Sequence, residues 1–500
     1  MTNDSTLRLH PENPHYFLFR GEPTILISSA EHYGAVINLD FDSIPYLDLL
    51  ASFGMNATRI YAGAYLEPEH YFIHDNPLAP RRERHCLPWG RSAIPGYPLG
   101  GNLFDLDAWN PDYFIRLKDF IAQAGRLGIV VETCLFNAMY PDTWTLMPLY
   151  HENNVQGVGL CECKDFQTLK DQALVTRQEA YVQKITREVN AFDNVILEVC
   201  DEPGIHGTPP EQYTPWISRL VDAIVKAEVD LPQKHLIAQQ VCGSLGGTGD
   251  FSSDPRVSIS VGQYVGPTDG AQFGGVQVLD ADYNENKAIE LNETAYYPIW
   301  YEGDSLGAAR VEAWEFILGG GASFNHLNGL YSTFNSAGVG TEIQAVLNQL
   351  QALKQFMARF NFIRMMRDTS FFIGRRREGC FIRAISEPGQ QYGLYMHHSI
   401  NKNVKYIVQP GNYEDSLVLR VPKGWYQVEW IEPATGRVLQ KNTVSSNGKS
   451  LEMVTPVFTV DIALRMIRVY KASETINKTI NRQFGLKRES ESPLNNQKQD

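Results

Sequence analysis

Apolar, strand-like runs alternate with helical patterns along the first 365 residues of the chain, and this alternation restricts the folds available to it. It is typical of parallel strands joined by crossover helices. Eight strand–helix units fit a (β/α)8 TIM barrel better than an open sheet, although periodicity alone does not exclude a doubly wound fold. The predicted strands are residues 24–29, 57–62, 129–136, 195–200, 235–241, 257–263, 297–302 and 321–326.

Shorter alternating runs follow residue 365, and turns rich in glycine, proline and asparagine separate them. Their spacing predicts a small antiparallel β-sandwich domain. After residue 472 almost no apolar residue remains, so this segment cannot bury enough apolar area to become ordered. We therefore expect a barrel over residues 1–365, a β-sandwich over 366–472 and a disordered polar tail over 473–500.

The charge balance and the cysteines narrow the possible functions. The formal net charge is -13 and no basic stripe appears along the chain, which argues against nucleic acid or an anionic membrane as a partner. The N-terminus has no signal-peptide pattern, and no apolar run nears the roughly 18 residues that span a bilayer, so we expect a soluble cytoplasmic protein unless the N-terminus is processed for secretion. Cys134, Cys200 and Cys242 lie in strand-like runs, which favours buried, reduced thiols.

Two of the predicted strands end in carboxylates. Asp201 and Glu202 follow the run 195–200, and the run 297–302 ends at Glu302. The active site of a TIM barrel lies where its strands end, so these side chains should meet. Hydrolysis of a glycosidic bond needs an acid that protonates the leaving oxygen and a carboxylate on the opposite face of the sugar. The pair therefore predicts glycosidic-bond chemistry; the alternative is that both glutamates only cap helices or pair with lysines.

Polar side chains also follow most of the other predicted strands. A single histidine or tyrosine at a strand end is more often a packing residue, but the repetition over seven of eight strands favours a binding site. The substrate-binding candidates at these strand ends are Glu31, His32, Arg59, Asn137, Tyr264, His326 and Asn328.

The motifs together resemble clan A of the glycoside hydrolases, the retaining (β/α)8 enzymes that include the cellulase-like families. The resemblance implies that Glu202 in Cys-Asp-Glu-Pro is the acid/base and that Glu302 in Trp-Tyr-Glu-Gly is the nucleophile. It also implies that Arg59 in Ala-Thr-Arg-Ile-Tyr and Tyr264 in Gly-Gln-Tyr belong to the site. The β-sandwich resembles the accessory domain that often follows such barrels.

The chain departs from the clan pattern at two places. Asp201 stands where the clan has asparagine, and it could accept a hydrogen bond from a sugar hydroxyl. The eighth strand carries Phe324-Asn-His-Leu-Asn and no tryptophan. A catalytically silent carbohydrate-binding barrel therefore stays open as an alternative, as does a transglycosylase that uses the same residues.

Two loops carry further candidates. The long loop over residues 66–104 contains Trp89, an aromatic side chain suited to stack on a sugar ring. Asn154, in the loop after the third strand, is a candidate for contacts with sugar hydroxyls. Cys161 and Cys163 with the distant His151 fall short of a zinc pattern. We expect a retaining glycoside hydrolase that acts on an oligo- or polysaccharide without cofactor or metal, and a homo-oligomer is possible.

Overall fold

The structure is a computed structural model that describes residues 5–69, 71–242, 251–263, 275–294, 303–374, 379–402 and 405–470. Its strands are β1 (Arg8–Leu9), β2 (Phe17–Phe19), β3 (Glu22–Thr24), β4 (Leu26–Ala30), β5 (Ala57–Tyr61), β6 (Trp89–Pro95), β7 (Asn102–Trp109), β8 (Val130–Asn137), β9 (Val195–Asp201), β10 (Leu236–Cys242), β11 (Ile259–Gln263), β12 (Ala288–Glu293), β13 (Ser323–Leu327), β14 (Met366–Arg367), β15 (Cys380–Glu387), β16 (Gln391–Lys402), β17 (Lys405–Val408), β18 (Ser416–Leu419), β19 (Gly424–Ile431), β20 (Val438–Ser446), β21 (Leu451–Val454) and β22 (Asp461–Val469). Its α-helices are α1 (Ser43–Ser52), α2 (Pro111–Arg126), α3 (Pro141–Trp144), α4 (Gln172–Val189), α5 (Pro210–Glu228), α6 (Gly275–Asp282), α7 (Ser305–Leu318) and α8 (Thr341–Met357).

Eight parallel strands form the central sheet, in the order β4-β13-β12-β11-β10-β9-β8-β5. This order follows the chain around the sheet, and β4 and β5 at its two ends also lie side by side. The sheet therefore nearly closes into a barrel. In the described part of the chain a helix follows each of these strands except β10, as in other barrels of this class. The predicted (β/α)8 fold is confirmed.

The seventh barrel strand is the one that the sequence pattern misplaced. Its position in the sheet, between β11 and β13, is occupied by β12, Ala288–Glu293. The prediction of residues 297–302 as strand seven was wrong. In β12 the buried side chains of Glu290 and Asn292 hydrogen-bond to polar groups inside the barrel, so this strand lacks the apolar run that marks the others.

The barrel helices pack through apolar faces, and α2 illustrates how the sequence sets one. Asn110 caps its N-terminus by accepting a hydrogen bond from the backbone N–H of Asp112 at 3.1 Å, and Pro111 fills a first-turn position that needs no donor. The buried residues of α2 recur at helical spacing and form one stripe, which includes Tyr113, Leu117, Ile121 and Ala124. Helices of this kind cover the outer face of the sheet.

An antiparallel β-domain follows the barrel. Its main sheet runs β14-β15-β16-β22-β19-β20 with β17 paired to β16, and β18 pairs with β21 in a second sheet. One face of the main sheet packs on the barrel, where Tyr395 stacks on Trp314 of α7 with ring centroids 5.5 Å apart. The other face forms a separate hydrophobic core. The boundaries predicted for this domain, 366–472, stay a prediction, and the predicted tail lies outside the described residues.

None of the described helices is both long enough and apolar enough to span a bilayer. Cys134 and Cys200 are buried thiols in β8 and β9, as predicted, whereas the side chain of Cys242 lies outside what the structure describes. No disulfide joins the cysteines whose side chains are described.

Candidate active site

A pocket lies at the carboxyl ends of the barrel strands. It brings together four carboxyl side chains, three tyrosines and one histidine, and three of the carboxyls lie at the strand ends: Asp201 ends β9, Glu202 follows it and Glu293 ends β12. Its lining residues are His32, Tyr61, Tyr65, Glu67, Phe72, Asn137, Tyr140, Asp201, Glu202 and Glu293. Four of the predicted site residues, His32, Asn137, Asp201 and Glu202, therefore meet here.

Glu202 directly follows β9. Its backbone is left-handed, with φ of 46°, a conformation that is uncommon for a residue with a side chain and recurs at functional sites. Burial raises the pKa of Glu202 well above its usual range, the carboxylates of Asp201 and Glu293 raise it further, and Arg59 partly opposes them. These surroundings favour the protonated form of Glu202, the form that a general acid requires.

Glu293 ends β12 and is a carboxylate that sequence reasoning missed. The Nη1 atom of Arg59 lies 3.2 Å from its Oε2 atom. A guanidinium at this distance favours the charged form of a carboxylate. The sequence signal was present in Ala-Ile-Glu-Leu-Asn-Glu, an alternating strand pattern that ends in Glu293, but the polar residues within it concealed the strand.

Arg59 in β5 lies beneath the pocket and is fully buried. Its Nε and Nη2 atoms donate to Oε2 of Glu198 at 2.9 and 2.5 Å, and Nη2 lies 3.0 Å from Oδ1 of Asp201. Arg59 also contacts Glu293, so its guanidinium contacts carboxyl groups of both β9 and β12. We conclude that Arg59 fixes these carboxyl groups from below, since its guanidinium has no exposed surface.

Asp201 faces the pocket but is held by protein donors. Tyr61 donates its hydroxyl to Oδ2 of Asp201, and the side-chain amide of Gln263 donates to Oδ1, next to Arg59. These three partners come from β5 and β11, so Asp201 ties strand four to strands two and six of the barrel. Its predicted contact with a sugar hydroxyl would compete with these bonds.

His32 and Glu67 form a second polar group in the pocket. Nε2 of His32 lies 3.3 Å from Oε2 of Glu67, and Tyr65 donates its hydroxyl to Oε1 of Glu67 at 3.1 Å. Among the described residues, Nδ1 of His32 and Oδ1 of Asn137 are buried without a hydrogen-bond partner. Buried polar atoms are normally paired, so these two are available for a ligand. Glu67 lies in a long loop, where no sequence pattern indicated it.

Two predicted binding residues prove to be structural. Trp89 is 1% exposed at the start of β6 and stacks on Tyr181 with ring centroids 5.1 Å apart, so the predicted stacking of Trp89 on sugar is wrong. The amide of Asn154 donates to the carbonyl oxygens of Tyr150 and Val158 at 2.9 and 3.0 Å and holds its own loop. The loop that carries Trp89 contains the hairpin β6–β7, which turns the indole into the core.

Three further candidates at strand ends lie outside the lining of this pocket. Glu31 is fully buried and accepts hydrogen bonds from the backbone N–H groups of Gly34 and Ala35 at 3.0 and 3.2 Å. His326 and Asn328 both hydrogen-bond to the hydroxyl of Ser29, at 2.9 and 3.1 Å. The bonds to Ser29 link β4 to the end of β13, whereas those of Glu31 hold the turn after β4. The predicted substrate contacts of the three residues stay predictions.

The remaining two candidates, Glu302 and Tyr264, lie outside the described residues. The argument for Glu302 as nucleophile depended on strand seven ending there. Since β12 ends at Glu293, that position at the barrel mouth belongs to Glu293.

More carboxyl groups lie in the barrel interior below the pocket. The amide of Asn292 donates to both Glu132 and Glu198, at 3.2 and 3.1 Å, and Ser323 donates to Glu290 at 2.5 Å. Burial raises the pKa of Glu132 well above its usual range and that of Glu290 to about 7. Burial therefore favours the protonated forms of Glu132 and Glu290 in the folded state.

Replacing Glu290 with glutamine is expected to flatten the pH dependence of the free energy of unfolding. The pKa of Glu290 is about 7 in the fold, above its ordinary value of 4.5, so the folded state holds a proton that the unfolded chain releases. The resulting stabilisation is complete below the ordinary pKa and is lost as pH rises through about 7, at up to about 1.4 kcal/mol per pH unit. Urea unfolding at a series of pH values measures the free energy of unfolding and hence its slope against pH.

Glu152→Gln is the matched control for this experiment, because Glu152 is exposed and its replacement should leave the slope unchanged. Glutamine at position 290 retains an oxygen that can accept from Ser323. If the free energy of unfolding of Glu290→Gln has the same slope against pH as that of the parent protein, the retained proton lies on a group other than Glu290.

Comparisons with known proteins agree with this architecture at the level of the fold. No protein-family model matches the sequence, and no curated protein matches it. Solved structures do match. A glycoside hydrolase superposes with a TM-score of 0.62 at 12% identity, over 94% of this chain and 98% of that one.

Two structures from Bacteroides vulgatus are similar as well. A family 5 glycoside hydrolase superposes with a TM-score of 0.62 at 12% identity and covers 94% of both chains. A second protein, described as a putative glycoside hydrolase, has a TM-score of 0.58 at 14% identity over 93% of this chain and 83% of that one. The chain thus has the fold of these glycoside hydrolases along nearly its whole length.

Proposed function

We propose that this protein is a retaining glycoside hydrolase in which Glu202 is the acid/base and Glu293 the nucleophile. The observation that carries the proposal is the meeting of these two carboxyl groups in one pocket, at the ends of strands four and seven. The two groups have unlike surroundings: those of Glu202 raise its pKa and favour its protonated form, whereas Glu293 contacts a guanidinium. Carboxyl groups whose protonation is set apart in this way take the acid and nucleophile roles.

The chemistry follows from that difference. Glu202 gives its proton to the departing glycosidic oxygen while Glu293 attacks the anomeric carbon from the opposite face. Glu293 is then neutral because it carries the sugar as an ester. The repulsion that helps to raise the pKa of Glu202 falls, so Glu202 can take a proton from the water that attacks the anomeric carbon and releases Glu293.

The assignment of Glu293 replaces that of Glu302. In the clan that the sequence resembles, the nucleophile follows strand seven, and strand seven of this barrel is β12. Arg59, the arginine of strand two, contacts Glu293. The place of Glu293 at the end of strand seven and its contact with Arg59 both support Glu293 as the nucleophile.

The pocket favours a neutral sugar. Its described wall contains four carboxyl groups, and Arg59, the cation beneath them, is already paired with Glu198, Asp201 and Glu293. The carboxylates of this wall would repel a sugar carboxylate, and the imidazole of His32 already contacts Glu67. The partnerless atoms of His32 and Asn137 suit sugar hydroxyls, and the rings of Tyr140 and Phe72 offer apolar surface for a sugar face.

The test is to incubate the protein with aryl glycosides and oligosaccharides of neutral sugars and to follow the first product by proton NMR. We expect the product to form with the anomeric configuration of the substrate. An inverted product would mean that the second carboxylate activates water directly. Binding without turnover across the whole panel would favour the silent carbohydrate-binding barrel.

A further inference from the structure

Three side chains with metal-binding atoms meet in the β-domain, far along the chain from the proposed active site. Cys380 begins β15, His398 lies in β16, and Asp415 directly precedes β18. All three residues are buried, at 9, 3 and 8% exposure, beside the hydrophobic core of the domain. One sulfur, one imidazole nitrogen and one carboxylate oxygen lie within 4.8 Å of one another. We propose that these residues bind a divalent cation of the zinc class.

The backbone explains why the three atoms converge. Cys380 and His398 are directly opposite each other in the antiparallel pair β15–β16, so their side chains share one face of the sheet. Asp415 reaches the same point from another segment, where its backbone N–H donates to the hydroxyl of Thr455 at 3.0 Å and its carbonyl oxygen accepts from the N–H of Thr455 at 3.0 Å. Its Oδ2 atom lies 2.8 Å from Nε2 of His398.

The geometry differs from that of a cysteine nucleophile with its base. In such a relay the nucleophile and the carboxylate bind opposite nitrogens of the histidine, so the sulfur and the carboxylate oxygen lie on opposite sides of the ring. Here both lie within 4.8 Å of the same nitrogen and of each other. Three atoms arranged around one point are suited to hold an ion and unsuited to pass a proton along a line.

The donor set selects the ion. Magnesium and calcium take oxygen ligands, whereas a thiolate with an imidazole and a carboxylate is a zinc-type set. Zinc bonds of about 2.0 to 2.3 Å to these donors require separations between them of roughly 3 to 4 Å, which small side-chain movements can provide from the present spacing. Three protein ligands leave the fourth tetrahedral position to water.

The ion would serve the β-domain as a cross-link. Asp415 leads into β18, which belongs to the small sheet β18–β21, whereas Cys380 and His398 belong to the main sheet. A metal bound by all three would join the two sheets where Tyr413 already stacks on His398 with ring centroids 3.7 Å apart. Binding should therefore stabilise the folded domain and be independent of the proposed glycosidase activity.

Titration of the chelator-treated full chain with Co²⁺ tests the site, because cobalt bound to a thiolate gives a charge-transfer absorption band. We expect the band to saturate at one equivalent, Zn²⁺ to displace the cobalt, and Zn²⁺ to raise the melting temperature. Cys380→Ser should abolish the band, and Asp415→Asn should weaken Co²⁺ binding roughly tenfold or more. Circular dichroism verifies that each variant is folded.

Cys161→Ser is the matched control, since Cys161 is a half-buried thiol of the barrel and its loss should leave the band unchanged. Absence of the band in the parent protein would overturn the proposal. A band that persists in Cys380→Ser, or that disappears in Cys161→Ser, would overturn it as well. If Cys380→Ser fails to fold, Asp415→Asn decides, because unaltered cobalt affinity in that variant contradicts the site.

Discussion

Replacing Glu293 with glutamine is expected to lower kcat/KM by about a thousandfold or more on any substrate that the parent protein hydrolyses. Glutamine has nearly the same size but cannot attack the anomeric carbon as a carboxylate does. Arg59 keeps its contacts with Glu198 and Asp201 in this variant, so the melting temperature should change little. Initial rates on aryl glycosides measure the loss.

Glu293→Ala extends the test to the mechanism. The smaller side chain leaves space in which azide or formate can attack in place of the missing carboxylate, and the product should then have inverted configuration. Glu302→Gln is the matched control and should retain most of the activity. If Glu302→Gln is inactive and Glu293→Gln is active, the nucleophile is Glu302, and the assignment of Glu293 at the end of β12 as nucleophile is wrong.

Replacing Glu202 with glutamine is expected to slow hydrolysis by roughly a hundredfold to ten-thousandfold when the leaving group is a sugar. A dinitrophenyl leaving group departs without protonation, so the first step on a dinitrophenyl glycoside should be spared and the glycosyl-enzyme should accumulate. Added azide should restore turnover with retained configuration, the opposite of its effect on Glu293→Ala. Burst kinetics and product NMR provide the measurements.

The pH profile gives a second readout for Glu202. Because burial and nearby carboxylates raise its pKa, Glu202 loses its proton at higher pH than an ordinary glutamate does. Activity of the parent protein should therefore decline on the alkaline side, and Glu202→Gln should lack this decline. Glu67→Gln, a change to another carboxyl of the same pocket, should keep it. A declining alkaline limb in Glu202→Gln would identify a different acid.

The sequence predicted those parts of the site that follow apolar strands. Glu202 and Asn137 come directly after or at the end of the buried strands β9 and β8, whose apolar runs are unmistakable. The barrel places the carboxyl ends of such strands at one mouth, so their neighbours could be grouped without a structure. Arg59 was found for the same reason, although its position beneath the pocket was not.

The parts of the site that the sequence did not predict depend on interactions between segments that are distant along the chain. β12 escaped detection because its polar residues are paired with Glu132, Glu198 and Ser323, three partners that only the folded barrel brings near. Trp89 could not be recognised as a core residue, since the hairpin that buries it pairs residues through irregular registers. Glu67 lies in a loop without a repeating pattern, where sequence gives no direction to a side chain.

The main sheet of the β-domain has a consequence for how such proteins can be divided or recombined. Tyr395, Ile431 and Ala463 on its inner face belong to the same buried core as the barrel, and Arg310 of α7 pairs with Asp461 across the junction. A barrel cut free of the sheet would present an apolar surface to water, and so would the sheet. The two parts therefore have to be inherited, expressed and engineered as one unit. A foreign β-domain could replace this one only if it reproduced the surface that packs on α7.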